Sequence, residues 1–394
     1  MMEKFSFDLP VKLRFGCGTV DELQKQTLPG KRVLLVTGGN SIKKNGTLAH
    51  VREMAEPKCE AFFLFDDVKG NPTLDCVEQG TAFAKENHVD CVIGLGGGSA
   101  MDAAKSIAIM AVNEGSLWDY ASVGSGKGRA FTQKCLPLIL IPTTAGTGSE
   151  GNKTAVITNS KTGEKFGLRT DFASMGFVDP ELTLSVPERF TAIQGYDALC
   201  HCMEAFLSVK ANPISDAWAL EGTRQVLEWL PKAVANGRDI EARYHVSYGA
   251  MLGGIVIYLA SCTSAHVLEH AISALNPAVD HGMGLAIVSD AFHGKVAHYA
   301  PERYAELAAA LGLTEEGMGV REQAQAFLDR LRRFRSEIHL GEVSLKDYGF
   351  VGSDVPGLIE RTLVHAGGKL NRDRYCLSDE DLEDVFRSVM EPGV

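Results

Sequence analysis

The chain has 394 residues, of which 45% are hydrophobic and 23% are charged, and its formal net charge is −11. This length exceeds the usual size of a single hydrophobic core, so it predicts two domains. The acidic balance argues against broad binding to nucleic acid or to anionic membranes, because both need a basic surface. A local basic site for a phosphate group remains compatible with it.

The N-terminal residues and the cysteines favour a cytoplasmic protein. Residues 1–8 lack the apolar segment of a secretory signal, and the longest apolar run, residues 250–262, is too short to cross a bilayer and predicts a buried helix. The nine cysteines contain no CxxC pair, which is typical of reduced thiols. Cys200 and Cys202 flank His201, but a CxC spacing on a helix points the two thiols in different directions, which disfavours them as metal ligands.

The first half of the chain alternates short apolar runs with helical stretches. Four runs predict strands, at residues 32–37, 61–65, 91–95 and 136–142. Continuous apolar strands separated by helices predict a parallel sheet that is covered on both faces. The expected fold of residues 1–185 is therefore a doubly wound α/β dinucleotide-binding domain, with ligands at the carboxyl ends of its strands.

The second half of the chain, residues 186–394, shows almost no strand-like alternation. Its apolar residues recur at helical spacing in four long segments, at residues 193–207, 215–230, 240–259 and 264–275. We expect an all-helical second domain.

A glycine-rich turn follows the third predicted strand and opens a helix. It contains Gly97, Gly98 and Ser99, and Asp102 lies in the first turn of the helix. Free backbone N–H groups at such a helix N-terminus bind phosphate, and glycine lets the phosphate approach the backbone. The spacing is neither GxGxxG nor that of a P-loop, so an ordinary tight βα connection would also fit this turn taken alone.

A second loop of the same kind follows the fourth predicted strand. It clusters Thr143, Thr144, Thr147 and Ser149 with glycines. Its hydroxyl and N–H groups predict contacts with the ribose or phosphate of a nucleotide, although a Ser/Thr-rich capping turn would look similar. Two such loops at neighbouring strand ends favour the interpretation as a ligand site.

The end of the first predicted strand bears on the choice of cofactor. An acidic residue at a comparable strand end binds the ribose 2′-hydroxyl in many dinucleotide folds. This chain has Gly38 and Gly39 there, followed by Ser41, Lys43 and Lys44. The missing carboxylate and the two lysines favour a 2′-phosphate, and so NADP(H) over NAD(H), although the lysines would also suit an ordinary surface.

One carboxylate and several imidazoles in the helical half predict a metal site. Asp197 and His201 are four residues apart and share one face of a helix, and His266 and His270 have the same relation on another. His281 follows a break in the helical pattern, at a loop or a helix start. A carboxylate with two or three imidazoles suits Fe(II) or Zn(II), but the spacing does not tell which histidines are ligands.

Other acidic residues and histidines of this half receive different predictions. Glu204, one turn beyond His201, either orients a ligand or forms a helix ion pair. Glu269 is expected to be exposed. His245, His293 and His298 lack partners at useful spacing and are expected to be structural.

Taken together, these motifs resemble the iron-containing (group III) alcohol dehydrogenases over essentially the whole chain. The motifs that carry the resemblance are Gly96-Gly97-Gly98-Ser99-x-x-Asp102, the run from Pro142 to Glu150, Gly195-x-Asp197-Ala198-x-x-His201-x-x-Glu204, His266-x-x-x-His270 and His281-Gly282. Within that family the chain is similar to the NADP-linked butanol dehydrogenases, because many NAD-preferring members have Asp at the position of Gly38.

The resemblance implies roles for individual residues and a homodimeric assembly. Its implied metal ligands are Asp197, His201, His266 and His281, with His270 beside the nicotinamide. The implied cofactor residues are Gly98, Ser99, Thr143 and Thr144, then Thr147, Ser149 and Lys165 near the nicotinamide end, and Asn71 in an Asn-Pro element. The active site is expected in the cleft between the two domains.

The expected reaction is hydride transfer between NADP(H) and a short-chain alcohol or aldehyde, with the metal polarising the substrate oxygen. His270 either relays a proton or positions the nicotinamide ring. Three alternatives stay open: an NAD- and zinc-linked polyol dehydrogenase, a dehydroquinate synthase-like lyase, and a non-catalytic binding module. The lyase would need a basic pocket, and the sequence around the expected ligands is mostly apolar.

Overall fold

The computed structural model describes residues 4–368 and 370–391, and eight strands lie within them. They are β1 (Lys12–Phe15), β2 (Arg32–Gly38), β3 (Ala61–Val68), β4 (Cys91–Gly96), β5 (Leu138–Pro142), β6 (Thr154–Asn159), β7 (Glu164–Arg169) and β8 (Met175–Val178). Six form one parallel sheet in the order β1-β8-β5-β4-β2-β3, and β6 and β7 pair as a separate antiparallel hairpin. The prediction of a parallel sheet is confirmed.

Both faces of the parallel sheet are buried. Leu34, Val92 and Leu140 point into a core on one face, whereas Leu35 and Ile93 point into a second core on the other. Four helices connect the strands, α1 (Ser41–Lys44), α2 (Thr47–Ala55), α3 (Leu74–Glu86) and α4 (Gly98–Met110). Because successive side chains of a strand alternate between faces, a strand buried on both sides must be apolar throughout. This is why the sequence revealed the central strands β2, β4 and β5. It missed β1 and β8, which are only four residues long, and the β6–β7 hairpin.

After β8 the described chain contains helices and no further strand. They are α5 (Glu188–Leu207), α6 (Pro213–Ala235), α7 (Ile240–Ala260), α8 (Ser264–Leu275), α9 (His281–Tyr299), α10 (Glu302–Ala310), α11 (Val320–Glu337), α12 (Val355–His365) and α13 (Asp379–Ser388). The prediction of a helical second half is confirmed. The predicted boundary after residue 185 falls in the connection between β8 and α5, and remains a prediction.

The apolar run at residues 250–262 ends α7, most of which is buried. Within the described residues no single helix is long and apolar enough to cross a membrane; α7 and α8 reach that criterion only as a pair, with a bend of 107° between them. All nine cysteines lie in the described residues and none is paired. The bend changes the direction of the chain just before His266, one of the predicted ligands on α8.

Candidate active site

Three helices bring the predicted metal ligands to one point. Asp197 and His201 lie one turn apart on α5, His266 lies near the start of α8, and His281 is the first residue of α9. The N-terminus of α9 packs directly on α5, because a Cβ added at Gly282 would overlap the carbonyl oxygen of Ile193. This close approach carries His281 to the Asp197 side chain.

The distances among these four side chains fit a shared cation. The Nε2 atoms of His201, His266 and His281 each lie 3.5 Å from Oδ1 of Asp197. This separation is too long for a good hydrogen bond, which spans about 2.7–3.2 Å. Four atoms held tetrahedrally at about 2.1 Å from one ion would lie about 3.4 Å apart. The arrangement therefore has the size of a divalent-cation site.

Three buried polar atoms of the four ligand side chains lack a partner among the described residues. They are Oδ1 of Asp197, Nδ1 of His201 and Nε2 of His266. An unpaired buried polar atom is costly, so Oδ1 of Asp197 and Nε2 of His266, which face each other, call for a bound group. Burial opposes ionisation of Asp197, but the three imidazoles prevail and hold the pKa of its carboxyl well below the ordinary value. A carboxylate with three imidazoles suits Fe(II) or Zn(II).

Glu204 orients one of the histidines. Its Oε1 accepts a hydrogen bond from Nδ1 of His266 at 2.8 Å, and its Oε2 accepts from the N–H and the hydroxyl of Thr263 at 2.9 and 2.8 Å. Nδ1 of His266 must carry its proton to donate, so the Nε2 lone pair is free to face Asp197. Of the two predictions for Glu204, orientation of a ligand is the one that the contacts match.

The prediction that Glu269 is exposed is wrong. Its side chain is fully buried, it accepts a hydrogen bond from Nδ1 of His281, and its Oε2 lies 3.7 Å from Nζ of Lys165. Burial opposes its ionisation, but His281 and Lys165 hold its pKa well below the ordinary value. Glu269 thus orients His281 as Glu204 orients His266. The sequence offered a signal, since Glu269 lies three residues after His266 and so near the same helix face.

The cluster opens into a cavity of about 320 Å³ between the parallel sheet and the helices. Twelve of the predicted cofactor, catalytic and metal-ligand residues line it, together with residues that the sequence analysis did not single out. The predicted residues in the lining are Asn71, Gly98, Ser99, Asp102, Thr147, Ser149, Lys165, Asp197, His201, His266, His270 and His281. The phosphate-loop residues and the candidate metal centre therefore share one cavity.

Other predicted cofactor residues lie beside this cavity rather than in its lining. The two loops touch, because the N–H of Thr143 donates to the carbonyl of Gly96 at 2.9 Å and Gly97 faces the Thr144 side chain. Gly38 ends β2, the neighbour of β4 in the sheet, and Gly39 and Ser41 follow it. A nucleotide would have to extend out of the cavity along the carboxyl ends of the strands to reach them.

The space around Gly38 and the free charge of Lys43, at the end of β2, are both smaller than the sequence suggested. A Cβ added at Gly38 would overlap the carbonyl oxygen of Val68, because the β2–β3 register shifts at this point. Gly38 therefore leaves no open space on that side, and its lack of a side chain is also required for packing. Nζ of Lys43 lies 2.6 Å from Oδ2 of Asp66, so part of its charge is already balanced.

Asp102 and Ser149 connect three of the elements that line the cavity. The Ser149 hydroxyl donates to Asp102 at 2.6 Å, and the other Asp102 oxygen accepts from the N–H of Val156 in the hairpin at 2.9 Å. Nζ of Lys105 lies 2.7 Å from the Ser149 hydroxyl oxygen. These contacts attach the second loop and the hairpin to α4.

The structure adds cavity residues that the sequence analysis did not identify. Cys262 lies within reach of the ligand atoms of His201 and His266, and His365 lies near His270. Arg169 from β7 and Arg372 from the loop before α13 also line the cavity. The sequence next to the expected ligands is mostly apolar, as noted above, but the folded cavity also contains these two arginines, which come from segments remote in sequence from the ligands.

The fold and site together define a nucleotide-binding α/β sheet joined to a helical domain with a candidate metal centre. A family model described as "Iron-containing alcohol dehydrogenase" matches residues 10–180, and one described as "Fe-containing alcohol dehydrogenase family, C-terminal" matches residues 191–390. The chain belongs to the iron-containing alcohol dehydrogenase family, and it is an oxidoreductase of the alcohol dehydrogenase type.

Individual relatives agree with this assignment. Long-chain-alcohol dehydrogenase 1 of Geobacillus thermodenitrificans is 32% identical over 95% of this chain and 94% of its own length. The 1,3-propanediol dehydrogenase of Citrobacter freundii is 31% identical over 92% of each chain. The solved structure of the archaeal Red Sea brine pool alcohol dehydrogenase ADH/D1 superposes with a TM-score of 0.93 at 30% identity, covering 99% of this chain and 100% of that one.

Proposed function

We propose that the protein transfers a hydride reversibly between NADP(H) and a short-chain alcohol or aldehyde with the help of a divalent cation. The observation that carries the proposal is the convergence of three histidine Nε2 atoms on Oδ1 of Asp197, in the cavity that Gly98 and Ser99 also line. In the oxidative direction a bound nicotinamide would accept the hydride from the carbinol carbon, and the hydroxyl proton would leave to solvent.

Asp197, His201, His266 and His281 would hold the cation, for which we propose Fe(II), with Zn(II) as the alternative. When bound, the cation supplies Lewis-acid polarisation of the substrate oxygen and the nicotinamide supplies or accepts the hydride. Glu204 and Glu269 keep two of the imidazoles in the tautomer that presents Nε2, since each accepts the Nδ1 proton. Burial of both carboxylates makes this orientation rigid.

His270 lies where the nicotinamide is expected, and its contacts favour a positioning role. Burial and the neighbouring Lys165 lower the pKa of His270 well below its ordinary value, although Glu269 opposes the shift. A neutral imidazole at working pH is a poor proton donor. We propose that His270 packs against the nicotinamide ring and orients it, and that the substrate proton leaves by another route.

The preference for NADP(H) is supported by the chemistry of the β2 end. Gly38, Gly39 and Ser41 carry no carboxylate to bind a 2′-hydroxyl or repel a 2′-phosphate, and Lys43 and Lys44 follow on a short helix. Asp66 pairs with Lys43 and offsets part of the positive charge that a 2′-phosphate would meet, which argues against a large preference for NADP(H). We propose a modest selectivity for NADP(H), with Asp66 as the residue that limits it.

The test is the oxidation of NADPH, compared with NADH, in the presence of butanal. Chelator-stripped protein is assayed before and after addition of Fe(II) or Zn(II). Turnover that returns with metal and is faster with NADPH would support the reaction, the cation and the cofactor together. Turnover restored by metal but faster with NADH would overturn only the cofactor preference, and turnover unaffected by stripping would overturn the metal role.

A diol is the second candidate substrate, because the relative from Citrobacter freundii is a 1,3-propanediol dehydrogenase. Comparison of 1,3-propanediol with 1-butanol as hydride donor separates the two. We further propose that the protein acts as a homodimer in the cytoplasm. The unpaired cysteines support the compartment, and light scattering of the purified protein tests the dimer.

A further inference from the structure

The cavity contains a half-buried arginine that forms no ion pair among the described residues. Arg372 lines the cavity wall, and within residues 4–368 and 370–391 no carboxylate lies within 4.0 Å of its guanidinium. Its neighbour in the loop, Arg374, is exposed and points to the carbonyl of Ser208 at 3.5 Å. A cation that is partly removed from water without a partner costs free energy, so Arg372 requires a functional explanation.

The backbone around Arg372 is anchored next to the candidate metal centre. The Arg372 carbonyl accepts from the N–H of Val209, just after α5, at 3.0 Å. The next residue, Asp373, accepts from the N–H of Ser264 at 3.1 Å and from its hydroxyl, at the start of α8 and two residues before His266. The loop is thus attached to two of the three helices that carry predicted ligands, and these bonds hold the backbone from which Arg372 projects in a defined place.

Arg372 lines the same cavity as the metal-ligand cluster. Ser261 and Cys262 also line it, and the Cys262 thiol lies within 4.8 Å of the ligand atoms of His201 and His266. Because the cavity of about 320 Å³ has both the cluster and Arg372 in its lining, a small molecule that fills it can reach both.

The other charges of the cavity lining leave room for an added anion. Lys165 is balanced by Glu269, and Asp197 belongs to the ligand cluster. The remaining carboxylate of the described lining, Asp102, already accepts two hydrogen bonds. Arg169 adds a second cation, exposed on β7. Apart from the ligand cluster, the charge in the cavity is therefore positive, in contrast with a net charge of −11 for the chain.

We infer that the substrate is a short carbonyl compound, or the matching alcohol, that carries an oxyanion group bound by Arg372. This inference rests on the proposed function. A guanidinium presents two parallel N–H groups that match the two oxygens of a carboxylate, and sulfonate and phosphonate share that geometry. The carbonyl end lies at the ligand cluster and the anionic end at Arg372, so the arginine selects and orients the substrate.

The test compares 4-oxobutanoate with butanal, its uncharged four-carbon counterpart, using the metal-loaded enzyme and NADPH. The wild-type kcat/KM should be higher for 4-oxobutanoate. In Arg372→Gln the ratio of kcat/KM for 4-oxobutanoate over butanal should fall by about 10- to 100-fold, the usual effect of losing a charge-assisted hydrogen bond. Arg372→Lys should restore part of the ratio, and the matched control Arg374→Gln should leave it unchanged.

Two results would overturn the inference while leaving the proposed function intact. One is turnover of butanal with no preference for 4-oxobutanoate and an unchanged ratio in Arg372→Gln. The other is a rise in the KM for NADPH alone in that variant, which would assign Arg372 to the cofactor.

Binding is measured separately, so that a failure of turnover is also informative. Calorimetry on the Zn(II)- and NADP⁺-loaded protein compares 4-hydroxybutanoate with 1-butanol, in the wild type and in Arg372→Gln. Binding of the acid that depends on Arg372, without turnover of either aldehyde, would support the anion site and overturn the proposed reaction. Equal or absent binding of both alcohols, without turnover, would overturn both.

Discussion

Nδ1 of His266 lies 2.8 Å from Oε1 of Glu204, and its Nε2 lies 3.5 Å from Oδ1 of Asp197. One imidazole therefore joins a fully buried carboxylate on one side to the ligand cluster on the other. The proton on Nδ1 belongs to the bond with Glu204, so the other nitrogen is available to a cation.

Replacing Glu204 tests this relationship directly. In Glu204→Gln the side-chain oxygen can still accept the Nδ1 proton, but the negative charge is lost. We expect metal affinity to fall by about 10- to 100-fold, with activity returning at high metal concentration. Metal titration followed by activity measures this, and Glu228→Gln on the exposed face of α6 is the control. An unchanged affinity would show that Glu204 has no influence on the metal.

His266→Ala should remove metal and activity together. The loss of a ligand leaves the cluster with three side chains, and loss of the cation should lower the rate by about 1000-fold or more. Elemental analysis and the butanal assay are made on the same sample. His245→Ala is the control, because His245 stacks on Trp229 away from the cluster. A fully active, metal-loaded His266→Ala would contradict the ligand assignment.

His270→Ala should slow the reaction without changing its pH profile. If His270 only positions the nicotinamide, its removal should lower kcat by about 10- to 100-fold through poorer alignment. The lowered pKa of His270 predicts that it does not titrate near neutral pH. The rate is measured from pH 6 to 9. If the variant lost a titrating limb of the pH profile, that result would contradict the positioning role and support His270 as a proton relay.

Lys43 and Asp66 should act in opposite directions on cofactor choice. Lys43→Gln should raise the KM for NADPH by about 2- to 5-fold, the effect of one exposed charge, with little effect on NADH. Asp66→Asn releases Lys43 from its partner and should lower the KM for NADPH. Lys25→Gln, on the surface elsewhere, is the control. Equal effects of Lys43→Gln on both cofactors would contradict a role in 2′-phosphate binding.

The stability of the protein should depend on Glu150. Burial raises the pKa of this carboxyl to about 7, against an ordinary value of 4.5. Because the folded state holds the proton more tightly, this contribution to stability is fully present below pH 4.5 and is lost as the pH rises through 7. Glu150→Gln cannot ionise, so its melting temperature should exceed that of the wild type by roughly 2–4 °C at pH 8.5.

The comparison for Glu150 is made at two pH values. The difference between variant and wild type should shrink or reverse at pH 5, where the wild-type carboxyl is protonated. Differential scanning calorimetry of the metal-free protein measures both. A difference that does not vary with pH would show that Glu150 keeps the same charge in the folded and unfolded states.

The fold was largely predictable from the sequence because its central elements are buried on all sides. A strand covered on both faces must be apolar throughout, and this made β2, β4 and β5 visible. The edge strand β3 is less buried and was visible from the apolar run at residues 61–65. The sequence did not predict the β6–β7 hairpin, because its strands alternate or mix polar and apolar residues. The two strands form a separate two-stranded sheet. Its position matters for function, since it contributes Lys165 and Arg169 to the cavity.

The candidate site was predictable only in part, and Glu269 shows why. The sequence indicates that His266, Glu269 and His270 share a helix, but exposure depends on what packs around it. Lys165 comes from the other half of the chain, and it makes burial of the Glu269 charge tolerable. Arg372 carried no sequence signal at all, because it lies more than 100 positions from His266.

The sequence by itself determined which side chains share one element: Asp197 with His201 on one helix, His266 with His270 on another, and the glycines with the helix that follows them. Helical and strand periodicities are local, so spacing alone specifies these relations. Only the tertiary structure decided that three Nε2 atoms meet one carboxylate oxygen, that Glu269 is buried, and that Arg372 lies in the same cavity. Distances between elements depend on packing, such as the contact of Gly282 with Ile193, and no local spacing encodes them.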